Sequence, residues 1–239
     1  MNNKSLVVIT GASQGIGRAL AHRFAKAGNP LLLISRHIET LVELEGFENV
    51  LYEQVNVTDN QALEISIRKA EALYGETECL INNAGFINIG SFSEMAIEKI
   101  HTEMDVLLKG VINGIKAVLP KMQARKSGTI INMSSIGDRR PSGEAVMYHA
   151  SKHAVLSLSE NLQQAEAQHN VRVINIAPGL VKTNIHTHMG MSFEEYSTLF
   201  GNPIFLKSEE VADIVYFCWS QPQHICIRDL VVMPTSCGY

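Results

Sequence analysis

The sequence predicts a single doubly wound α/β domain, in which a parallel sheet of about seven strands carries helices on both faces. Short apolar runs alternate along the chain with longer amphipathic stretches, and the runs are apolar throughout rather than at every second position. Strands of that kind are buried on both faces, which is typical of parallel sheets covered by helices. The 239 residues, 46% of them hydrophobic, can form one large core. Because no linker or repeat interrupts them, residues 1–239 are predicted to be one domain.

The elements alternate regularly from the first apolar run onward. Strands are predicted at residues 6–9, 31–34, 50–57, 80–81, 129–133 and 171–176. Helical spacing of apolar residues predicts helices at 16–27, 39–45, 59–74, 100–124 and 147–169, with a bend or break at Pro120. A last helix should bury Phe217 and Trp219. Residues 184–207 fit neither pattern, and they are predicted to form either a substrate lid or a plain surface loop with one short helix.

Charge and cysteine usage argue against several classes of function. The net charge is −4 without a basic stripe, which disfavours nucleic acid or an anionic membrane as the main partner. No apolar run is long enough to span a membrane, and the first is too short for a signal peptide. The four cysteines form no C-x-x-C pair, and His186 and His188 lack a third ligand nearby, so no metal site is expected. This usage suits a reducing cytoplasm.

Tyr148 and Lys152 are separated by four residues in a predicted helix, so they lie on one face. An isolated tyrosine titrates near roughly 10, but an ammonium beside a phenol favours the phenolate. Such a pair can therefore act as an acid and a base near neutral pH. The spacing is common by itself, and an ordinary surface pair is the alternative interpretation.

A glycine turn connects the first strand to the first helix, with Gly11, Gly15 and Gly17 in the pattern G-x-x-x-G-x-G. Small residues let the backbone approach a pyrophosphate, which the amides at the helix N-terminus then bind. The spacing differs from the more common G-x-G-x-x-G, although the strand–turn–helix context is the same. The turn therefore indicates a dinucleotide site.

The end of the second strand indicates which dinucleotide is bound. An acid at this place would accept from the ribose 2′-OH of NAD and repel a 2′-phosphate, whereas this chain has Ser35 and Arg36. Ser35 can donate to a phosphate, and Arg36 supplies a delocalised cation suited to it. The sequence therefore predicts NADP(H) rather than NAD(H). The alternative is an arginine that merely begins a solvated helix.

Taken together and in this order, the motifs resemble the short-chain dehydrogenase/reductase family, whose members have a Rossmann-type fold. The matching pieces are residues 10–17, 82–85, 134–135, Tyr148 with Lys152, and 178–179 with Thr183. They extend across nearly the whole chain. Residues 208–235 further resemble NADP-dependent reductases that act on hydroxy acids such as 3-hydroxypropionate or serine.

The resemblance implies hydride transfer between NADP(H) and a small-molecule carbonyl or alcohol substrate. Tyr148 would exchange a proton with the substrate oxygen, Lys152 would lower the pKa of Tyr148 and bind the nicotinamide ribose, and Ser135 would donate to the substrate oxygen. Ser134 should face away, because successive strand residues point to opposite sides. The implied cofactor contacts are Gly11, Ser13, Gln14, Gly15, Ile16, Gly17, Ser35, Arg36, Asn56, Val57, Asn83, Ala84, Gly85, Tyr148, Lys152, Pro178, Gly179, Val181 and Thr183. A homotetramer or dimer would assemble through the helices near 100–122 and 147–169.

One residue departs from the family pattern. Leu107 stands where the family has an asparagine that helps to hold a water in a proton relay ending at Lys152. Leucine offers no hydrogen bond, and Asn113 lies six residues further on, on another face of the helix. Two functions therefore remain open: an NADP-dependent oxidoreductase, or a weak or inactive NADP(H)-binding regulatory protein. Retention of Ser135, Tyr148 and Lys152 favours the enzyme.

Overall fold

Seven parallel strands form one sheet in the order β3-β2-β1-β4-β5-β6-β7. The computed structural model describes residues 5–237; the ends of the predicted domain, 1–4 and 238–239, lie outside the described residues. The strands are β1 (Leu6–Thr10), β2 (Leu31–Ser35), β3 (Val50–Gln54), β4 (Thr77–Asn82), β5 (Thr129–Met133), β6 (Arg172–Pro178) and β7 (Asp229–Val232). The strand order reverses between β1 and β4, and ligands of such sheets bind at this reversal, outside the carboxyl ends of the strands.

Helices cover both faces of the sheet. They are α1 (Gly15–Lys26), α2 (Asn60–Tyr74), α3 (Ile97–Met104), α4 (Gly110–Arg125), α5 (Val146–Glu166), α6 (Phe193–Leu199) and α7 (Ser208–Ser220). Alternate residues of β1 point to opposite faces: Val7 and Ile9 pack with α1 and α7, whereas Leu6 and Val8 pack with α2, α4 and α5. The predicted doubly wound parallel sheet is confirmed.

Three local predictions were wrong in detail. Residues 39–45 form only a short 3-10 turn, Val42–Leu44, because Leu41 and Leu44 alone are buried there and cannot anchor a longer helix. The third strand ends at Gln54 rather than at residue 57, and the carbonyl of Val57 instead accepts a side-chain hydrogen bond. Phe217 is exposed, whereas Trp219 packs on Phe24 with 5.1 Å between ring centres.

The predicted helix at residues 100–124 contains a π-helical turn, Asp105–Lys109, between α3 and α4. The N–H of Gly110 donates to the carbonyl of Asp105, five residues earlier, which is the π pattern. The helix also continues through Pro120 to Arg125 instead of ending there. A Cβ on Gly110 would lie 2.6 Å from Cγ2 of Val57, so glycine is what allows α4 to approach the sheet edge.

Residues 184–207 contain a 3-10 turn, Asn184–Met189, followed by α6. Ser192 and Glu195 cap the start of α6 reciprocally, and the isolated bridge between Val181 and Leu206 holds the two ends of the segment together. Its interior is aromatic, with Tyr196 packed against Phe200. Within residues 5–237, no helix combines the length and the apolar character needed to cross a membrane.

Candidate active site

The glycine turn after β1 requires glycine because the backbone is left-handed and closely packed there. Gly11 and Gly15 have φ angles of +66° and +55°, a region that residues with a Cβ rarely adopt. A Cβ on Gly17 would lie 2.1 Å from the carbonyl oxygen of Gly11. A Cβ on Gly11 would lie 2.7 Å from Cα of Ala84. The turn thus lies directly against the backbone that follows β4.

That backbone is fastened to the glycine turn by hydrogen bonds. The Asn83 side-chain amide donates to the carbonyls of Thr10 and Gly11, at 3.1 Å each. In return, the Thr10 hydroxyl accepts the N–H groups of Asn83 and Ala84, at 3.0 and 3.1 Å. The two predicted motifs, far apart in sequence, therefore form one rigid unit at the reversal of the strand order.

The N-terminus of α1 is open toward the same edge of the sheet. Its N-cap residue Gln14 makes no capping bond with its side chain, and the first turn has no acidic residue. The uncapped amides and the positive end of the helix dipole suit an anion. Nearby, the Ser13 and Ser35 hydroxyls are 3.0 Å apart, and Arg36 is exposed without an ion pair to any residue in 5–237. These features fit the pyrophosphate and 2′-phosphate of a dinucleotide.

A first cavity, of about 210 Å³, lies over this turn. It is lined by most residues for which a cofactor contact was predicted: Gly11, Ser13, Gln14, Gly15, Ile16, Ser35, Arg36, Asn56, Val57, Asn83, Ala84, Gly85, Tyr148, Lys152, Pro178 and Thr183. Three predicted contacts lie outside it. Gly17 is packed behind the turn, and Gly179 and Val181 line a neighbouring cavity. Sequence reasoning missed Phe86 and His188, which line the first cavity but belong to no motif.

Tyr148 borders both cavities and is half-buried. Burial raises the pKa of its phenol to about 12, against the lowering effect of a hydrogen bond with the Ser135 hydroxyl. The negative charges of Glu103 and Asp138 raise this pKa further. Ser135 Oγ also accepts the N–H of Gly137 at 3.1 Å, which fixes the serine side chain beside the tyrosine.

Lys152 is buried on the same face of α5, and its Nζ donates to the carbonyl of Met133 at 2.7 Å. The ammonium is 5.7 Å from the ring centre of Tyr148. Burial lowers the pKa of Lys152 to about 8, although Asp138 partly opposes this. Burial disfavours the charged forms of both side chains, so the shift of the Tyr148 pKa runs opposite to the one predicted from Lys152 alone.

Both serines after β5 border the site, but the Ser134 hydroxyl oxygen is itself buried, so the prediction that Ser134 faces away stays a prediction. Ser134 lines both cavities, and its buried Oγ has no hydrogen-bond partner among the described residues. The hydrogen bond with Tyr148 nevertheless belongs to Ser135.

A second cavity, of about 480 Å³, opens beside Tyr148 and Ser135. Its apolar wall includes Ile87, Leu180, Met189, Tyr196, Leu199 and Phe200, the last four from residues 184–207. Arg140, Glu144 and His149 are the charged or titratable residues at its other side. The two cavities meet at Tyr148, where a ligand in one would face a ligand in the other.

Leu107 is fully buried within the π turn, close to Gly85. A Cβ on Gly85 would lie 3.0 Å from Cδ2 of Leu107. The side chain of Asn113 is hydrogen-bonded elsewhere, since its Nδ2 donates to the carbonyl of Val57 at 2.9 Å. The prediction that Asn113 does not take the place of the family asparagine agrees with this contact.

Asp138 is a buried charged residue that sequence reasoning missed. It forms an ion pair with Arg139, which also binds Asp229, and its Oδ2 accepts from Asn175 at 3.0 Å. This network ties the turn after Ser135 to β6 and β7. Because its members are spread over the sequence, no local pattern identifies it.

The histidines at 186 and 188 are packed against aromatic rings: His186 stacks on Tyr196, and His188 lies against Phe86. In the part of the chain that the structure describes, no group of three or more His, Cys, Asp or Glu residues could hold a metal ion.

Comparisons with known proteins agree with this geometry. A family model described as short chain dehydrogenase matches residues 5–191. An uncharacterised oxidoreductase of Staphylococcus saprophyticus is 30% identical, over 99% of both chains. The closed form of a serine dehydrogenase complexed with NADP+ superimposes with a TM-score of 0.91 at 30% identity, covering 98% of this chain and 96% of that one. An alcohol dehydrogenase from the archaeon Thermococcus sibiricus, complexed with 5-hydroxy-NADP, has a TM-score of 0.82 at 25% identity, covering 97% of each chain.

Proposed function

Because this chain belongs to the short-chain dehydrogenase family, we propose that it is an NADP(H)-dependent oxidoreductase that interconverts a carbonyl and an alcohol. The observation that carries the proposal is the position of Tyr148 between two cavities, with Ser135 hydrogen-bonded to it and Lys152 on the same helix face. A proton donor is thus available where a dinucleotide and a substrate would meet.

NADP(H) is the proposed cofactor of the first cavity. The open N-terminus of α1 suits the pyrophosphate, and the hydroxyls of Ser13 and Ser35 with Arg36, which has no ion pair within residues 5–237, suit a 2′-phosphate. The likeness to two solved dehydrogenases that carry NADP+ or an NADP derivative supports the same choice. When bound, the nicotinamide supplies or accepts the hydride.

The chain's own residues handle the proton. In the reducing direction, the Tyr148 hydroxyl gives its proton to the substrate oxygen while hydride reaches the carbonyl carbon, which yields the alcohol and a phenolate. Ser135 donates a hydrogen bond to the same oxygen as negative charge develops there. The Lys152 ammonium, 5.7 Å from the ring centre of Tyr148, would favour the phenolate electrostatically until a proton returns. In the oxidising direction, the phenolate takes the hydroxyl proton.

The second cavity favours a small or medium-sized carbonyl compound with an apolar body. Its wall is largely aliphatic and aromatic, and Arg140 is its one cationic residue within the described chain. Residues 184–207 supply five residues of this wall and are proposed to act as a substrate lid. A hydroxy acid, the substrate type suggested by the likeness to a serine dehydrogenase, is the second substrate class to test.

Exposed apolar residues and cysteine chemistry bear on assembly and location. Ile112 on α4 and Val146 at the start of α5 are apolar and exposed, which supports a homodimer or homotetramer formed through these helices. The four cysteines are all free thiols, which supports a reducing cytoplasm as the location.

The test is NADPH oxidation with a panel of apolar ketones and aldehydes and of semialdehydes bearing a carboxylate. We expect turnover that the variant Tyr148→Phe lacks, with NADPH binding retained. Leu107 offers no hydrogen bond at the position of the family asparagine, in the π turn. For that reason the competing function is a cofactor-binding protein with little catalysis. Tight NADPH binding without turnover on any member of the panel would favour that alternative.

A further inference from the structure

His149 follows Tyr148 on α5, and the mechanism above gives it no role. Its side chain is partly buried and lines the second cavity. The ring nitrogen Nδ1 is hydrogen-bonded to the carbonyl oxygen of Arg140. Because a carbonyl oxygen can only accept, Nδ1 carries a proton and is the donor. This hydrogen bond therefore connects α5 to the segment that follows β5 and carries Ser135.

The imidazole of His149 also lies directly against Gly137. A Cβ on Gly137 would lie 3.1 Å from both Nδ1 and Cε1 of His149, and 3.4 Å from Cε1 of Tyr148. The two rings meet edge to face, with 5.8 Å between their centres. A side chain at position 137 would crowd the imidazole, so glycine is what allows the turn to lie this close to both rings.

The turn that His149 contacts is the one that holds the Ser135 side chain. The N–H of Gly137 donates to Ser135 Oγ at 3.1 Å, and the N–H of Asp138 donates to the carbonyl of Ser135 at 2.8 Å. Residues 136–138 are a single 3-10 turn with Ser135 as its N-cap. Such a short turn has few hydrogen bonds of its own, so the elements packed around it determine its position.

Two contacts hold this turn from opposite sides. Asp138 fastens it to β6, since its Oδ2 accepts from Asn175 at 3.0 Å. On the other side, His149 packs on Gly137 and donates to the Arg140 carbonyl, so it fastens the turn to the helix that carries Tyr148.

We propose that His149 is a positioning residue that acts through Ser135: it holds residues 135–140 against α5 and thereby keeps the Ser135 hydroxyl beside that of Tyr148. Both hydroxyls must reach the same substrate oxygen, so a small displacement of the turn costs turnover. Because His149 is adjacent to Tyr148 in the helix, it links the two hydroxyl-bearing segments by the shortest route. The kinetic part of this inference rests on the proposed function.

The first test compares two replacements of His149 in the full-length chain. His149→Asn keeps an N–H donor near the position of Nδ1, whereas His149→Ala removes both the donor and the ring. We expect kcat to fall about tenfold in the alanine variant and less than about threefold in the asparagine variant, with the dissociation constant of NADPH unchanged in both. The matched control is His153→Ala, one turn further along α5, which should leave kcat unchanged. Equal losses in the asparagine and alanine variants would overturn the proposal.

A double-variant cycle shows whether His149 acts through Ser135. When His149→Ala is added to Ser135→Ala, kcat should fall by less than about twofold further, because the hydroxyl that His149 positions is already absent. A further loss as large as the one that His149→Ala causes by itself would mean that His149 contacts the substrate directly or only supports the fold. Either result would refute the inference.

Hydrogen exchange of the Gly137 and Asp138 amides gives a readout that requires no turnover. Both amides donate to Ser135, so their exchange reports how firmly the turn is held. We expect exchange at least about tenfold faster in His149→Ala and close to the native rate in His149→Asn. If His149→Ala does not fold, Gly137→Ala disturbs the same contact from the other side, and the Asp138 amide should then exchange faster.

Unchanged exchange in the variant used would overturn the proposal, whether or not the native chain turns over any substrate of the panel. Absence of turnover together with faster exchange would count against the proposed function alone, so the two failures are distinguishable.

Discussion

Lys152 donates a hydrogen bond from its Nζ to the carbonyl of Met133, at 2.7 Å, and thereby joins α5 to the end of β5. Ser135 follows Met133 by two residues, and Tyr148 precedes Lys152 by four. One buried contact therefore sets the spacing between the strand end that carries the serine and the helix that carries the tyrosine. Four predictions follow from this site and its surroundings.

The first concerns stability and pH. The pKa of Lys152 is lowered by burial from 10.5 to about 8, so between these values the unfolded chain binds more protons at this position than the folded chain does. The contribution of Lys152 to the free energy of unfolding should therefore increase as the pH rises from about 8 to 10.5. Urea unfolding of the native chain and of Lys152→Met across this pH range measures this contribution. The free energy of unfolding of the native chain, minus that of the variant, should increase with pH. The matched control is Lys116→Met on the exposed face of α4, which should show no such trend.

The second prediction separates the two adjacent serines. Ser135→Ala should lower kcat about 10²-fold, because it removes the proposed donor to the substrate oxygen and the hydrogen bond to Tyr148. Ser134→Ala should change kcat by less than about threefold, because the Ser134 hydroxyl has no partner in the described structure. Steady-state kinetics of both serine variants, with the best substrate of the panel, measures the two changes in kcat. A larger loss for Ser134→Ala would reverse the assignment.

The third prediction concerns cofactor choice. Arg36→Asp should weaken NADPH binding about 10- to 100-fold and improve NADH binding, because the carboxylate repels a 2′-phosphate and accepts from a 2′-hydroxyl. Dissociation constants for both cofactors, measured by fluorescence titration, check this. His37→Ala, at the exposed neighbouring position, is the control and should leave the ratio unchanged. Tighter binding of NADH than of NADPH by the native chain would contradict the choice of NADP(H).

The fourth prediction concerns the family departure at Leu107. Leu107→Asn should lower the free energy of unfolding by about 2–4 kcal/mol, since a fully buried leucine is replaced by an amide. Turnover per folded molecule should be preserved or raised, because the amide is the group that the family resemblance implies at this position in a water relay to Lys152. The variant Leu107→Ala, which loses packing but gains no amide, is the control for the effect of lost packing. A large loss of turnover in the asparagine variant alone would show that Leu107 belongs to a catalytic arrangement different from the water relay of the family.

The local parts of this protein were determined by the sequence alone. Continuous apolar runs predicted buried parallel strands, the small residues between β1 and α1 predicted the dinucleotide turn, and the spacing of Tyr148 and Lys152 predicted their common helix face. Each of these depends on residues that are close in sequence, where a repeat or spacing has one geometric meaning. Most of the predicted cofactor residues line one cavity, although they come from motifs far apart in sequence, because the family resemblance supplied them together.

Only the tertiary structure decided the electrostatics of the site. The direction of the Tyr148 pKa shift follows from burial and from the charges of Glu103 and Asp138, which lie in other elements. The spacing of Tyr148 and Lys152 indicated mutual stabilisation, whereas burial disfavours the charged form of each group. The π turn and the shape of the second cavity likewise arise where distant segments pack. Desolvation depends on all the neighbours of a group in space, which no local pattern in the sequence contains.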